Sequence, residues 1–99
     1  MNALNVENQF NKVLRLLDFG KVERAPDILN EIIIKAQKEK NTLFFICASC
    51  VLGELLFSIG ETEKAQKHLL NVINTPYEND VVDYEKSVAF HILKQIENI

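Results

Sequence analysis

The sequence predicts an all-α fold: about five antiparallel helices, paired as two helical hairpins with a C-terminal capping helix, in one domain over residues 1–99. Three observations predict it. Apolar residues recur at helical spacing through most of the chain. No run alternates apolar and polar residues between turn signals, as a half-buried strand would. A block of sequence also recurs at an offset of forty residues.

The first helix carries Val6, Phe10, Val13, Leu14 and Leu17 on one stripe and ends at Gly20, where a left-handed residue terminates a helix cheaply. The second runs from about Glu23 to Glu39. Its stripe is Ile28, Leu29, Ile32, Ile33 and Ala36, and Pro26 lies in the first turn, where a missing N–H matters least. Asn41 and Thr42 are candidate caps for a third helix, Leu43 to Ser58, closed by Gly60. The third is apolar on all sides, the mark of a buried central helix. A fourth helix, about Glu61 to Asn74, places Ala65, Leu69, Leu70, Val72 and Ile73, and Pro76 stops it. Asn79 or Asp80 is expected to cap the fifth, whose stripe reads Val81, Tyr84 or Glu85, Val88, Ala89, Ile92, Leu93, Ile96 and Ile99.

The internal repeat is the most informative signal. Leu16, Leu17, Gly20, Ala25, Leu29 and Ile33 align with Leu56, Phe57, Gly60, Ala65, Leu69 and Ile73. Glycine permits a tight turn between helices, alanine lets the helices approach, and leucine fills the seam. Carried forward, Val88, Ala89, Ile92 and Ile96 fall opposite Ala48, Ser49, Leu52 and Leu56. The second copy resembles the tetratricopeptide repeat: Leu52-Gly53, Leu56, Gly60, Ala65 and Leu69 match it in type and spacing. Pro76 falls one residue early, Ser49 stands where the family has tryptophan, and the first copy has Lys12 and Val13 in place of Leu-Gly. A period of forty exceeds the family's thirty-four, so the helices or the Lys38–Asn41 turn are expected to be longer. The resemblance implies stacked helical hairpins that bind a peptide or protein.

Composition excludes several classes. At 47% hydrophobic and 25% charged the chain is neither disordered nor low in complexity. A formal charge of −3 lacks the basic footprint of a nucleic-acid binder. The segment from Thr42 to Gly60 carries Glu54 near its middle and polar Ser49 and Ser58, so it reads as a core helix rather than a membrane span. The N-terminal residues do not read as a signal peptide, and the two cysteines are expected to be free thiols in a cytoplasmic setting.

Few residues suggest chemistry. Cys47 and Cys50 have C-x-x-C spacing but lie inside an apolar helix without a second pair, so packing is preferred to redox or zinc. His68 reads as a surface histidine. Two surfaces are candidates for a partner. One gathers Glu54, Phe57, Phe90, His91 and Lys94, with Lys94 expected to pair with Glu54, the single charge of its helix. The other is the acidic start of the fifth helix: Tyr77, Glu78, Asp80, Asp83 and Tyr84, near Glu85. Acids there also suit the helix dipole.

No catalytic constellation, metal set or cofactor motif is found, and the chain is read as a non-enzyme. The expected function is a small acidic protein-interaction module, an adaptor or inhibitor of another protein, with a basic partner favoured by the acidic balance; an immunity protein that neutralises a basic nuclease toxin is one such case. A self-assembling homodimeric structural domain is the alternative, with a thiol or metal protein third.

Overall fold

The structure is a computed structural model that describes residues 5–78 and 80–98. Asn79 and Ile99, placed by the sequence in the fifth helix's cap and stripe, lie outside the described residues. Among these residues the chain is all-α: α1 (Val6–Asp18), α2 (Ala25–Lys38), α3 (Thr42–Ser58), α4 (Thr62–Asn74), a single 3-10 turn (Asp80–Val82) and α5 (Asp83–Glu97). No helix among them is long and apolar enough to cross a membrane.

Local chemistry sets the boundaries. Asn5 caps α1 by accepting the Asn8 N–H at 3.1 Å, and Asn41 caps α3 by accepting the Phe44 N–H at 3.3 Å. At the end of α1, Gly20 takes φ +75°; its N–H donates to the Leu17 carbonyl and the Lys21 N–H to the Leu16 carbonyl. That pair of bonds is the Schellman closure, which satisfies the last carbonyls of a helix. Gly60 repeats it after α3, with bonds to Phe57 and from Glu61 to Leu56. The turn between α2 and α3 is the same motif without glycine. Lys40 stands at φ 58°, donating to the Gln37 carbonyl, and the Asn41 N–H donates to that of Ala36. Left-handed turns thus recur at positions 20, 40 and 60. The Lys38–Asn41 turn is as tight as the glycine turns, and length resides in the helices, which run from 13 to 17 residues.

Each helix packs against its neighbours in sequence, and α3 also touches both α1 and α5. The helices therefore form two layers, α1, α3 and α5 in one and α2 and α4 in the other, consistent with a short dimension of 19 Å. α3 lies at the centre and buries Ile46, Ala48, Ser49, Cys50, Leu52, Gly53 and Leu56. Small residues mark the close approaches: Ala25, Ala36, Ala48, Ala65 and Ala89 are all fully buried. Gly53 is the tightest. A Cβ there would lie 2.6 Å from both Cγ and Cδ2 of Leu69, which is itself fully buried on α4. On α1, Phe10 is buried and meets Phe44 edge to face at 5.6 Å.

The fifth helix departs from the expected phase. Val81 and Tyr84 are 57% and 72% exposed, while Val82 is buried and Glu85 is half-buried. Counting back from buried Ala89, positions i−4 and i−7 are Glu85 and Val82, so the 3.6-residue period selects them. Asp80 opens the 3-10 turn instead of capping α5, whose N-cap is Val82 with no side-chain bond.

Two outcomes follow from this packing. Gly53→Ala is expected to cost about 1–3 kcal/mol by overpacking, as read by chemical denaturation. Combining it with Leu69→Ala should cost less than the sum of the two single changes, and strict additivity would refute the contact. Lys40→Gly removes an L-residue from the left-handed region and should raise stability by about 1 kcal/mol. A destabilised Lys40→Gly protein would show that the turn is held by something other than its backbone.

Candidate functional site

The side of α3 that carries Cys47 and Cys50 is turned toward α5. The Cys47 thiol donates to Oε2 of Glu85 at 3.9 Å, and the Cys50 thiol donates to the Glu85 carbonyl at 3.7 Å. Burial raises both thiols, with nearby carboxylates adding to it: Cys47 to about 11 through Glu85, Cys50 to about 12 through Glu54 and then Glu85. Both stay protonated at neutral pH, which makes them weak donors and poor nucleophiles. The C-x-x-C spacing serves to dock α5. Among the described residues no group of three or more His, Cys, Asp or Glu is placed to hold a metal ion.

This docking separates the first candidate surface into two parts. Parallel neighbours α3 and α5 pack side against side, so the flank of α3 bearing Cys50 faces α5, and the matching flank of α5, bearing Phe90, faces away. Residues in equal repeat register are displaced by one repeat rather than brought together. Glu54 is exposed on α3, with its carboxyl raised above the usual carboxylate range by the partial burial around it. Phe57, on the same helix, is half-buried against the core. Lys94 does not pair with Glu54: the ion pairs among the described residues are Lys35–Glu39 and Lys64–Glu61, both local. Instead the Lys94 ammonium lies 5.7 Å from the centre of the Phe90 ring. Phe90 and Lys94 line a hollow of about 150 Å³ between α4 and α5, walled also by Leu70, Ile73 and Leu93. His91 is exposed beside them and is not part of its wall.

The acidic start of α5 is more coherent. Glu78, Asp80 and Asp83 are exposed, as are Val81 and Tyr84, while Tyr77 packs half-buried against the core. Tyr77 and Glu78, with Thr42 and Pro76, line a cavity of about 370 Å³. Thr42 also walls a larger one of about 480 Å³, reaching Lys40, Phe45 and Thr75. The N-terminus of α3 and the segment after α4 thus border one recessed end of the molecule. Lys40, Thr42 and Phe45 were not anticipated there, because turn, capping and core roles account for them in sequence.

Lys86 was also missed. Its ammonium donates to the carbonyls of Val72, Ile73 and Thr75 at 3.2, 3.4 and 2.8 Å, closing the C-terminus of α4. A cation there meets both unpaired carbonyls and the negative end of the dipole. It also ties the Thr75–Tyr77 segment to α5. Only the spacing to Pro76 could have hinted at this contact.

No known protein family, curated protein or solved structure matches the chain. The site therefore has to be read from its own chemistry.

His68 proves to be half-buried, its Nδ1 enclosed without a hydrogen-bond partner, where a surface histidine was expected. Burial first, and Lys67 second, lower its pKa from 6.5. The folded state thus resists a proton that the unfolded chain accepts. Stability is full above 6.5 and falls as pH drops below it. Glu54 acts in a lower window with the opposite sign, since acid relieves a carboxyl that resists ionisation. The thermal midpoint should fall between neutral pH and about pH 5, and His68→Gln should flatten that fall. Equal slopes in wild type and variant would exclude His68 as the source.

Proposed function

We propose that this chain is a tetratricopeptide-like protein-binding module that acts as an adaptor or inhibitor and engages a basic surface of its partner through residues 77–84. One observation carries the reading. Tyr84 stands 72% exposed among the exposed acids Glu78, Asp80 and Asp83, and it is excluded from the core by the phase of α5. An uncovered aromatic ring is a natural anchor, and the acids around it steer a cationic surface into contact. The recessed end between Thr42 and Tyr77 offers a concavity for a protruding partner side chain. Docking through the 3-10 turn and the first turn of α5 requires no rearrangement of the central α3.

An inhibitor that covers the cationic site of a nuclease, in the manner of an immunity protein, is one form this module takes. It fits a chain of net charge −3 with thiols held protonated, at work in the cytoplasm. No catalytic step and no cofactor are assigned.

The test is affinity capture from the native host, followed by calorimetry on the purified partner. Wild type should retain a stoichiometric protein at near-physiological salt, and Tyr84→Ala should weaken the complex about thirtyfold, as loss of an aromatic anchor does. Reversing Asp80 and Asp83 to lysine should slow association and remove most of its salt dependence. A partner that binds both variants as tightly as wild type, or no stoichiometric partner at all, would sink the proposal.

A further inference from the structure

The two cysteines carry a second inference, which does not depend on what residues 77–84 bind. Three residues apart on α3, they share one flank of the helix and meet a single residue of α5. Cys47 donates to Oε2 of Glu85 at 3.9 Å, and Cys50 donates to the Glu85 carbonyl at 3.7 Å. Oε1 of the same carboxylate is buried without a partner. Among the described residues the Cys47 thiol is therefore the one donor to the Glu85 carboxylate. Little else fastens the helix at this point. Among those residues α5 buries Ala89 alone, whereas α3 buries seven, and an element with few buried contacts opens locally at low cost.

We propose that Cys47 and Cys50 form a redox latch for α5: with α5 docked the dithiol is shielded, and with α5 lifted a low-molecular-weight disulfide oxidises it to an intrahelical disulfide that keeps α5 from returning. Attack on a disulfide requires a thiolate. In the docked state burial first, and neighbouring carboxylates second, hold Cys47 at about 11 and Cys50 at about 12. Lifting α5 removes Glu85 and the burial that α5 supplies. Glu54 remains on α3 and still acts on Cys50, so Cys47 attacks first. Its thiolate bonds to one sulfur of the small disulfide RSSR and expels RS⁻. The Cys50 thiolate then attacks the Cys47 sulfur, forms the Cys47–Cys50 bond and expels a second RS⁻. Two electrons pass from the cysteines to RSSR, and the two thiol protons complete two RSH.

The product no longer fits beneath α5. Neither sulfur keeps a hydrogen to donate, so the Glu85 carboxylate would return to its seat with no donor at all, the costly state for a buried charge. The backbone also shifts. Side chains three residues apart on a helix hold their Cβ atoms about 5–6 Å apart, whereas a disulfide needs about 3.5–4.5 Å. Closing the bond thus tightens the turn of α3 on which α5 rests.

Treatment of the purified protein with glutathione disulfide, followed by intact mass and amide hydrogen exchange, tests the latch. Wild type should lose two hydrogens and retain no glutathione, and dithiothreitol should restore them. In the oxidised form the α5 amides should exchange at least about tenfold faster, while those of α2 keep their rates. Cys50→Ser should stop at a single glutathione adduct on Cys47, since the serine hydroxyl still donates toward Glu85 but cannot close the disulfide. Lys86→Met cuts the tie to the end of α4 and should speed oxidation about tenfold with the helical circular dichroism unchanged. An oxidised protein whose α5 amides exchange as slowly as in the reduced one overturns the inference. So does a folded wild type that glutathione disulfide leaves unoxidised while the unfolded chain reacts, and so does an oxidation rate indifferent to Lys86→Met.

Discussion

The contact between Gly53 and Leu69 is the constraint on which the rest of the arrangement depends. With no Cβ on α3 at that point, a fully buried leucine of α4 can lie directly on the backbone. This brings the two helices close enough to bury Leu52 and Leu56 on one side and Ala65 and Val72 on the other. The position of α4 then decides where its C-terminus falls. That end carries the Val72, Ile73 and Thr75 carbonyls that receive Lys86, and Lys86 draws the start of α5 against it. One missing methyl group thus propagates, through rigid helices, to the place where the chain presents Tyr77 and Tyr84.

The core is tightly packed yet incompletely satisfied in its polar groups. Ser49 Oγ, His68 Nδ1 and Glu85 Oε1 are buried without hydrogen-bond partners. Each such group carries a penalty on the order of 1–3 kcal/mol. Glu85 recovers part of this through the two thiols, which are soft and weak donors. The docking of α5 accordingly rests on few core residues. Ala89 is its only fully buried described residue, whereas α3 buries seven. Elements with few buried contacts are the ones that open and rearrange most easily. Both candidate surfaces lie on this helix or at its start.

Much of the fold was legible because the relevant signals are local. Gly20 and Gly60 announce left-handed turns by residue type, and Ala25, Ala65, Leu29 and Leu69 announce a seam by spacing. Asn41 caps as its chemistry suggests, whereas the Asn5 cap was not read from the sequence. Lys40 was silent, since nothing in a lysine signals positive φ; the backbone there is dictated by the helices on either side. The phase of α5 was misread at its start because two valines are adjacent, and only burial of Ala89 distinguishes Val82 from Val81. Lys94 was assigned to Glu54 by repeat register, which aligns residues in sequence without stating which flank a neighbouring helix covers. Lys86 acts across a loop on backbone carbonyls, and carbonyls leave no trace in side-chain patterns.

The two candidate surfaces lie at different heights and on different sides of α5. Tyr84 and Phe90 are six residues apart, which on an α-helix means about 9 Å along the axis and about 120° around it. Tyr84 stands exposed among the acids at the start of the helix, whereas Phe90 overlooks the groove toward Leu70.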